Sequence, residues 1–387
     1  MSGSAAPKVY GWCPGALRPM MSGDGLVVRI RAPLGKLSAA QAKGVAELAQ
    51  TFGNGLLDIS ARANLQLRGI REDRFEDLIA GLRTLGFVDR DAAAEARRNI
   101  LIAPFWQEDD DTHAIASALS AALAAATGLT LPGKFGFAVD CGAAPVLQDC
   151  AADIRIERGP AGLILRADGA TAGKTVTRES AAAEALALAR WFLDQGGAPE
   201  GRGRMHRLIA RRGPPPSHGV TALQRPFAAA PGHTPAGTLA ALEFGQMPAA
   251  TLAELAAHGE IRLTPWRMLL IEGARHLPPL PGLILDATDP RLQVTACTGA
   301  PGCLQALSAT RDLARDLTPQ LPQGTRLHVS GCAKGCACPG PSPVTLTATG
   351  ADEFSLIRNG TAADQPLITN LSADRLRAAP ELLTEGS

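Results

Sequence analysis

The feature that most constrains this chain is the placement of its cysteines. Five of the eight fall between Cys297 and Cys338. The first pair reads Cys297-Thr-Gly-Ala-Pro-Gly-Cys303, a Cys-x5-Cys spacing. The second reads Cys332-Ala-Lys-Gly-Cys336, a Cys-x3-Cys spacing, and Cys338 stands two residues further on. A fold that uses these thiols together must bring two separate loops to one place. Glycines and prolines surround the cysteines, so the backbone can turn tightly there and approach a bulky ligand. Four readings compete. Disulfides suit a secreted chain. Structural zinc takes cysteine pairs two to four residues apart, and x5 lies outside that range. Inert buried thiols belong in packed elements more than in glycine-rich loops. An iron–sulfur cube takes four thiolates, which two pairs on two loops provide, and the spacing favours it.

The rest of the chain sets bounds. With 387 residues, 46% apolar and 19% charged, it reads as a soluble globular protein of two or more domains. The net charge of +1 gives no bulk attraction to nucleic acid, and 4% aromatics leave few stacking platforms. The opening Met1-Ser-Gly-Ser-Ala-Ala-Pro-Lys8 has no apolar signal core, and no apolar run is long enough for a bilayer. No nucleic acid and no membrane are therefore expected as partners. A reducing, cytoplasmic setting is the expectation, one in which cluster thiolates persist.

Hydrophobic periodicity predicts a repeated unit. A strand over 26–30 leads to Ser38, an N-cap, and a helix over 39–52 closed by Gly53. Strands over 56–59 and 65–70 and a helix over 75–85 complete a βαββα unit. A weaker copy follows: a strand over 239–244, a helix over 249–258 opened by Pro248, and strands over 260–263 and 268–271. Each copy ends a strand in glycine, at Gly69 and Gly273. Such a repeat implies a pseudo-two-fold chain with a ligand site shared between halves. Between the copies the pattern gives a helix over 115–126, strands over 137–140, 153–157 and 162–167, a long helix over 181–194 and a basic amphipathic helix over 202–212. Residues 213–237, with Pro214-Pro215-Pro216, read as an irregular connector. After a strand over 292–295, a helix over 304–317 would aim its N-terminus at the thiolates. A strand over 327–329, two short strands and a final helix over 373–383 close the chain.

Beyond the cysteines, the notable side chains are cations with few acidic neighbours in sequence. Arg62 and Arg68 flank Asn64-Leu65-Gln66, Arg98 precedes Asn99, and Lys134 sits in a loop before a strand. Converging arginine forks suit a polycarboxylate; singly, each reads as a surface charge. His328, alone on a strand, reads as a packed histidine. No Ser/His/Asp set, G-x-G-x-x-G fingerprint or P-loop is present.

These features together resemble the sirohaem nitrite/sulfite reductase superfamily. The resemblance rests on the two cysteine pairs, the repeated βαββα unit and Arg98-Asn99, and runs from about residue 12 to 380. Three stretches are similar to its precorrin-3B synthase branch: Ser330-Gly-Cys-Ala-Lys-Gly-Cys-Ala337, Cys13-Pro14-Gly15, and Ile59-Ser-Ala-Arg-Ala-Asn-Leu-Gln66. Where the reductases carry Leu-Pro-Arg-Lys-Phe-Lys, this chain has Leu131-Pro-Gly-Lys-Phe-Gly136, two cations fewer. Cys338 stands where the branch usually has histidine.

The resemblance implies an α+β fold of two pseudo-symmetric halves. Each half would be a ferredoxin-like βαββα unit plus a mixed α/β cofactor-binding domain, as in sulfite reductase. The implied domains are ferredoxin-like halves over 12–88 and 238–290, reductase-like domains over 89–212 and 291–384, and the connector over 213–237. It implies a [4Fe–4S] cluster on Cys297, Cys303, Cys332 and Cys336, and carboxylate binding by Arg62, Arg68, Arg98 and Lys134. The implied activity is an NADH- and O2-dependent monooxygenase that hydroxylates precorrin-3A at C20 and forms a γ-lactone in aerobic cobalamin biosynthesis. A second iron centre, non-haem iron or sirohaem, would activate oxygen, and an electron-donating reductase would be a partner. The rivals are a sirohaem-dependent nitrite or sulfite reductase and a non-enzymatic iron–sulfur scaffold or sensor.

Overall fold

The computed structural model describes residues 13–216 and 219–383. The opening stretch at residues 1–8 and the expected domain limits at 12 and 384 lie outside the described residues. The first unit follows from its local chemistry. Ser38 caps the helix Ala39–Phe52 reciprocally: its Oγ accepts from the Gln41 N–H, and Gln41 Oε1 accepts from the Ser38 N–H. Ala42, Val45, Ala46 and Ala49, at helical spacing, are fully buried. The strands Leu56–Ile59 and Leu65–Ile70 have the expected bounds. The order of the first sheet is Met20–Ser22, Gly25–Ile30, Leu65–Ile70, Leu56–Ile59, Gln246–Pro248, all antiparallel.

The last strand of that sheet comes from the second copy, and the exchange is mutual. Lys36–Leu37 forms an edge of the second copy's sheet, beside Ile261–Leu263, Met268–Glu272, Gly237–Leu242 and Gly232–Thr234. Backbone strain repeats with the topology. The tight turns Pro33–Gly35 and Glu243–Gly245 hold Leu34 at φ 53° and Phe244 at φ 54°. Ala63 and Arg267 sit at 52° and 58°, and Gly69 and Gly273 at 65° and 68°. These matched left-handed positions reveal the pseudo-two-fold more clearly than the hydrophobic pattern does. Leu57, Leu65, Ala240 and Leu269 share one continuous core, so the two ferredoxin-like units pack as one body.

Two further sheets flank that body. One orders Ile100–Ile102, Phe137–Asp140, Ile154–Gly159, Gly162–Ala167, Ala172–Val176 and Val220–Thr221. The other orders Val294–Ala296, Leu327–Ser330, Ser342–Gly350, Glu353–Gly360 and Ile368–Leu371. Both open with three parallel strands and turn antiparallel at the fourth. Each has its own apolar core. The fold is α+β with paired halves.

Several elements differ from the sequence reading. The helix expected over 304–317 is only Arg311–Leu317. Leu304 and Leu307 are exposed, so nothing pays for helix there, and the first cysteine loop continues to residue 310. The helix that remains starts at Arg311, with Thr310 at its N-cap position. Residues 213–237 are not wholly irregular: Val220–Thr221 and Gly232–Thr234 add edge strands to two sheets. The tail has three strands after residue 340, and its helix is Ala373–Ala378, because Pro380 cannot continue it. Among the described residues no helix is long and apolar enough to cross a membrane.

Candidate active site at the cysteine loops

Val294–Ala296 and Leu327–Ser330 run parallel and adjacent, and each releases a cysteine loop at its carboxyl end. Cys297 follows the first strand directly and Cys332 lies just beyond the second. Ligand sites favour such strand ends. Close packing ties the loops together. The Gly331 N–H donates to Cys297 Sγ at 3.1 Å, Leu307 N–H to the Gly331 carbonyl at 2.8 Å, and Thr310 Oγ1 to the Cys297 carbonyl at 2.7 Å. Gly299, at φ 68°, would place a Cβ 2.6 Å from Thr310 Oγ1, so a side chain is excluded there.

None of the eight cysteines is paired in a disulfide. Burial raises the Cys332 and Cys336 pKa values; Cys297 and Cys303 add to the rise, and Lys334 opposes it. Mutual repulsion among these four is the electrostatic mark of thiols facing one region. Among the described residues no three His, Cys, Asp or Glu side chains close on a point fit for one metal ion. An iron–sulfur cube spreads its thiolates farther apart than a single ion does, and the four-cysteine donor set is of the type it takes.

Beside the loops lies a pocket of about 280 Å³. Cys297 and Cys336 line it, with Arg29, Arg267 and Arg311 as its cations and Asp58, Ser60 and Gln66 on its wall. Arg29 Nη2 donates to Gln66 Oε1 at 2.6 Å, and Arg267 Nη2 donates to the Ala337 carbonyl at 2.7 Å. Arg311 Nη2 stands 3.6 Å from Asp58 Oδ1, while its buried Nε lacks a partner. Burial lowers the Arg267 pKa, and the charge of Arg311 lowers it further. An incoming carboxylate would relieve that repulsion.

The structure places the expected cations in three settings. Arg62 and Lys134 converge with Arg29 on Cys13, the first described residue. Arg68 is 6% exposed; its Nε and Nη2 donate to Asp24 at 3.1 and 2.8 Å, and Nη2 also donates to the Gly302 carbonyl at 2.6 Å. It joins the first sheet to the first cysteine loop. Arg98 forks onto Asp89 at 2.9 Å and donates to the Arg31 carbonyl at 3.0 Å. Gly136 has a packing reason: a Cβ there would lie 2.6 Å from Asn99 Nδ2. His328 is 1% exposed with both ring nitrogens unpartnered, and burial together with Arg267 lowers its pKa to about 4.

Sequence reasoning missed Arg29, Arg267 and Arg311. The repeat held the signal for Arg267, which occupies the left-handed position that Ala63 takes in the first copy.

Residues 18–85 match the nitrite/sulfite reductase ferredoxin-like half domain. The chain is 31% identical to a precorrin-3B synthase of Sinorhizobium sp over 94% of its own length and 86% of that protein. The chain belongs to the precorrin-3B synthase family. It is also 25% identical to a ferredoxin–nitrite reductase of Synechococcus elongatus, over 85% of this chain and 77% of the relative. The solved structure of the Mycobacterium tuberculosis NirA protein has the same fold. It superposes with a TM-score of 0.66 at 18% identity, covering 94% of this chain and 81% of that one. This chain thus has the fold of the NirA protein and carries a half domain of the nitrite/sulfite reductase type.

Proposed function

We propose that this chain hydroxylates precorrin-3A at C20 with dioxygen while the ring-A acetate closes a γ-lactone at C1, a step of aerobic cobalamin biosynthesis. One oxygen atom enters the product, and the other leaves as water with two electrons that originate in NADH, delivered directly or through a reductase. The observation that carries the reading is one pocket walled by two of the four loop cysteines and three arginines. Cys297, Cys303, Cys332 and Cys336 would hold a [4Fe–4S] cluster, which when bound supplies electrons singly.

The chain's own residues bind and orient. Arg29, Arg267 and Arg311 receive carboxylate arms on the cluster side, and Arg62 and Lys134 do so beside Cys13. Each charge-assisted bond contributes about 1.5–3 kcal/mol, so three or four fix the ring's orientation. Arg68 and Arg98 are paired with Asp24 and Asp89. No side chain is assigned to a second iron centre, since no described donor set closes on a single ion. The reaction would take place in the cytoplasm, on the domains laid out from the sequence.

Anaerobic purification with iron and sulfide analysis and an absorption spectrum tests the reading. About four iron and four sulfide per chain and no sirohaem bands are expected. Stoichiometric sirohaem would favour the reductase reading. A chain without iron or sulfide, binding no tetrapyrrole, would overturn both.

A further inference from the structure

A second pocket, of about 530 Å³, opens between residues 13–18, the helix Ala92–Arg97, residues 130–133 and residues 200–202. It shares no lining residue with the cluster-side pocket. Arg18, Arg31 and Arg202 line it, against the carboxylates of Glu95 and Glu200. Glu95 is already engaged. It accepts the Ala16 and Leu17 N–H groups at 2.5 and 3.1 Å, and Arg31 Nη1 stands 3.3 Å away. Gly15 permits this grip, because a Cβ there would lie 2.4 Å from Glu95 Oε2.

Arg31 is 8% exposed, and its Nε and Nη1 have no hydrogen-bond partner. A cavity of about 20 Å³, lined by Arg31 and Asn64, has room for one water. Glu95 gives Arg31 a counter-charge that it shares with two backbone N–H groups, and burial still lowers the Arg31 pKa, so a second anion would complete the guanidinium's unmade bonds. Cys13 also lines the second pocket. Burial works to raise its pKa, but Arg29, Arg62 and Lys134 outweigh burial and hold it below its ordinary value. The thiolate is the nucleophilic form of cysteine.

We propose that this second pocket is a carboxylate-binding site with Cys13 as a reactive thiol in its wall. Arg31 is the buried donor to the carboxylate, and Arg202 draws it in from the exposed rim. The ligand class is a small carboxylate, or an acetate-sized arm of a larger one.

The test compares two alkylating reagents of similar size on the full chain, with modification read at the Cys13 peptide by mass spectrometry. Iodoacetate and iodoacetamide both form a sulfur–carbon bond and release iodide; only the first carries a carboxylate. The rate ratio, iodoacetate over iodoacetamide, should exceed that of an unstructured peptide around Cys13 by about tenfold. Arg31→Gln should bring the ratio close to the peptide's. Arg202→Gln, at an exposed position that leaves the core intact, should lower it partway. A ratio equal to the peptide's in the native chain, or one that neither substitution changes, overturns the proposal. The readout needs neither cluster nor tetrapyrrole, so its failure is separate from failure of the proposed function.

Discussion

Replacing Arg68 by alanine should destabilise the fold by about 3 kcal/mol and loosen the first cysteine loop. The side chain makes three charge-assisted bonds, two to Asp24 and one to the Gly302 carbonyl, and lies 3.6 Å from Asp58. The Arg68, Asp24 and Asp58 side chains are 7%, 18% and 9% exposed. Removing one partner of a buried pair costs about 3–5 kcal/mol, because the other charge is left uncompensated. Asp24 is exposed enough to rehydrate in part, which puts the expectation at the low end. The Gly302 carbonyl would keep the Ser22 hydroxyl, at 2.6 Å, so among the described residues it loses one of two side-chain hydrogen bonds that hold the Cys303 loop. Urea unfolding of wild type and variant at equal slope measures the first effect, and sulfide content after anaerobic isolation measures the second. Arg68→Lys should recover little, since an ammonium cannot fork onto Asp24 and reach Gly302 together. A loss below about 1 kcal/mol, the range of exposed ion pairs, with full sulfide content, would refute the reasoning.

Other outcomes follow from single contacts. Ser38→Ala should cost about 1 kcal/mol in urea unfolding by removing the capping box, and an unchanged midpoint would contradict the role of the cap. His328 has its pKa lowered from 6.5 to about 4, so the unfolded chain takes a proton between those values that the folded chain refuses. Stability present at neutral pH should therefore fall as pH drops through that window, by up to about 3 kcal/mol, and His328→Phe should flatten the fall; parallel curves for the two proteins would exclude it. Arg267→Ala should weaken tetrapyrrole binding by about 1.5–3 kcal/mol in titration without unfolding the chain. Serine at Cys297, Cys303, Cys332 or Cys336 should abolish the cluster's absorption, and serine at Cys338 should spare it. Loss at Cys338 with retention at Cys336 would reassign the ligands.

The sequence exposed the first βαββα unit because its signals are local. Ser38 with Gln41 and the alternation in 65–70 each read within a few residues. The second copy was weaker because its helix is shorter, Ala249–Leu255 against Ala39–Phe52, and its first strand is buried on both faces and shows no alternation. The exchange of Lys36–Leu37 and Gln246–Pro248 between sheets left no trace, since pairing across some 200 residues is invisible to periodicity. The same limit applies at the site. The cysteine loops stood out by spacing, whereas Arg29, Arg267 and Arg311 meet only through the fold. Arg68 and Arg98 looked free because their partners Asp24 and Asp89 are distant in sequence or on a separate loop.

The most direct test of the central claim is a turnover under ¹⁸O2. The cluster-loaded protein, given reductant and precorrin-3A, should release a product one oxygen heavier that carries a single ¹⁸O. Stoichiometric sirohaem in the same preparation, with turnover of sulfite or nitrite and no labelled product, would contradict it.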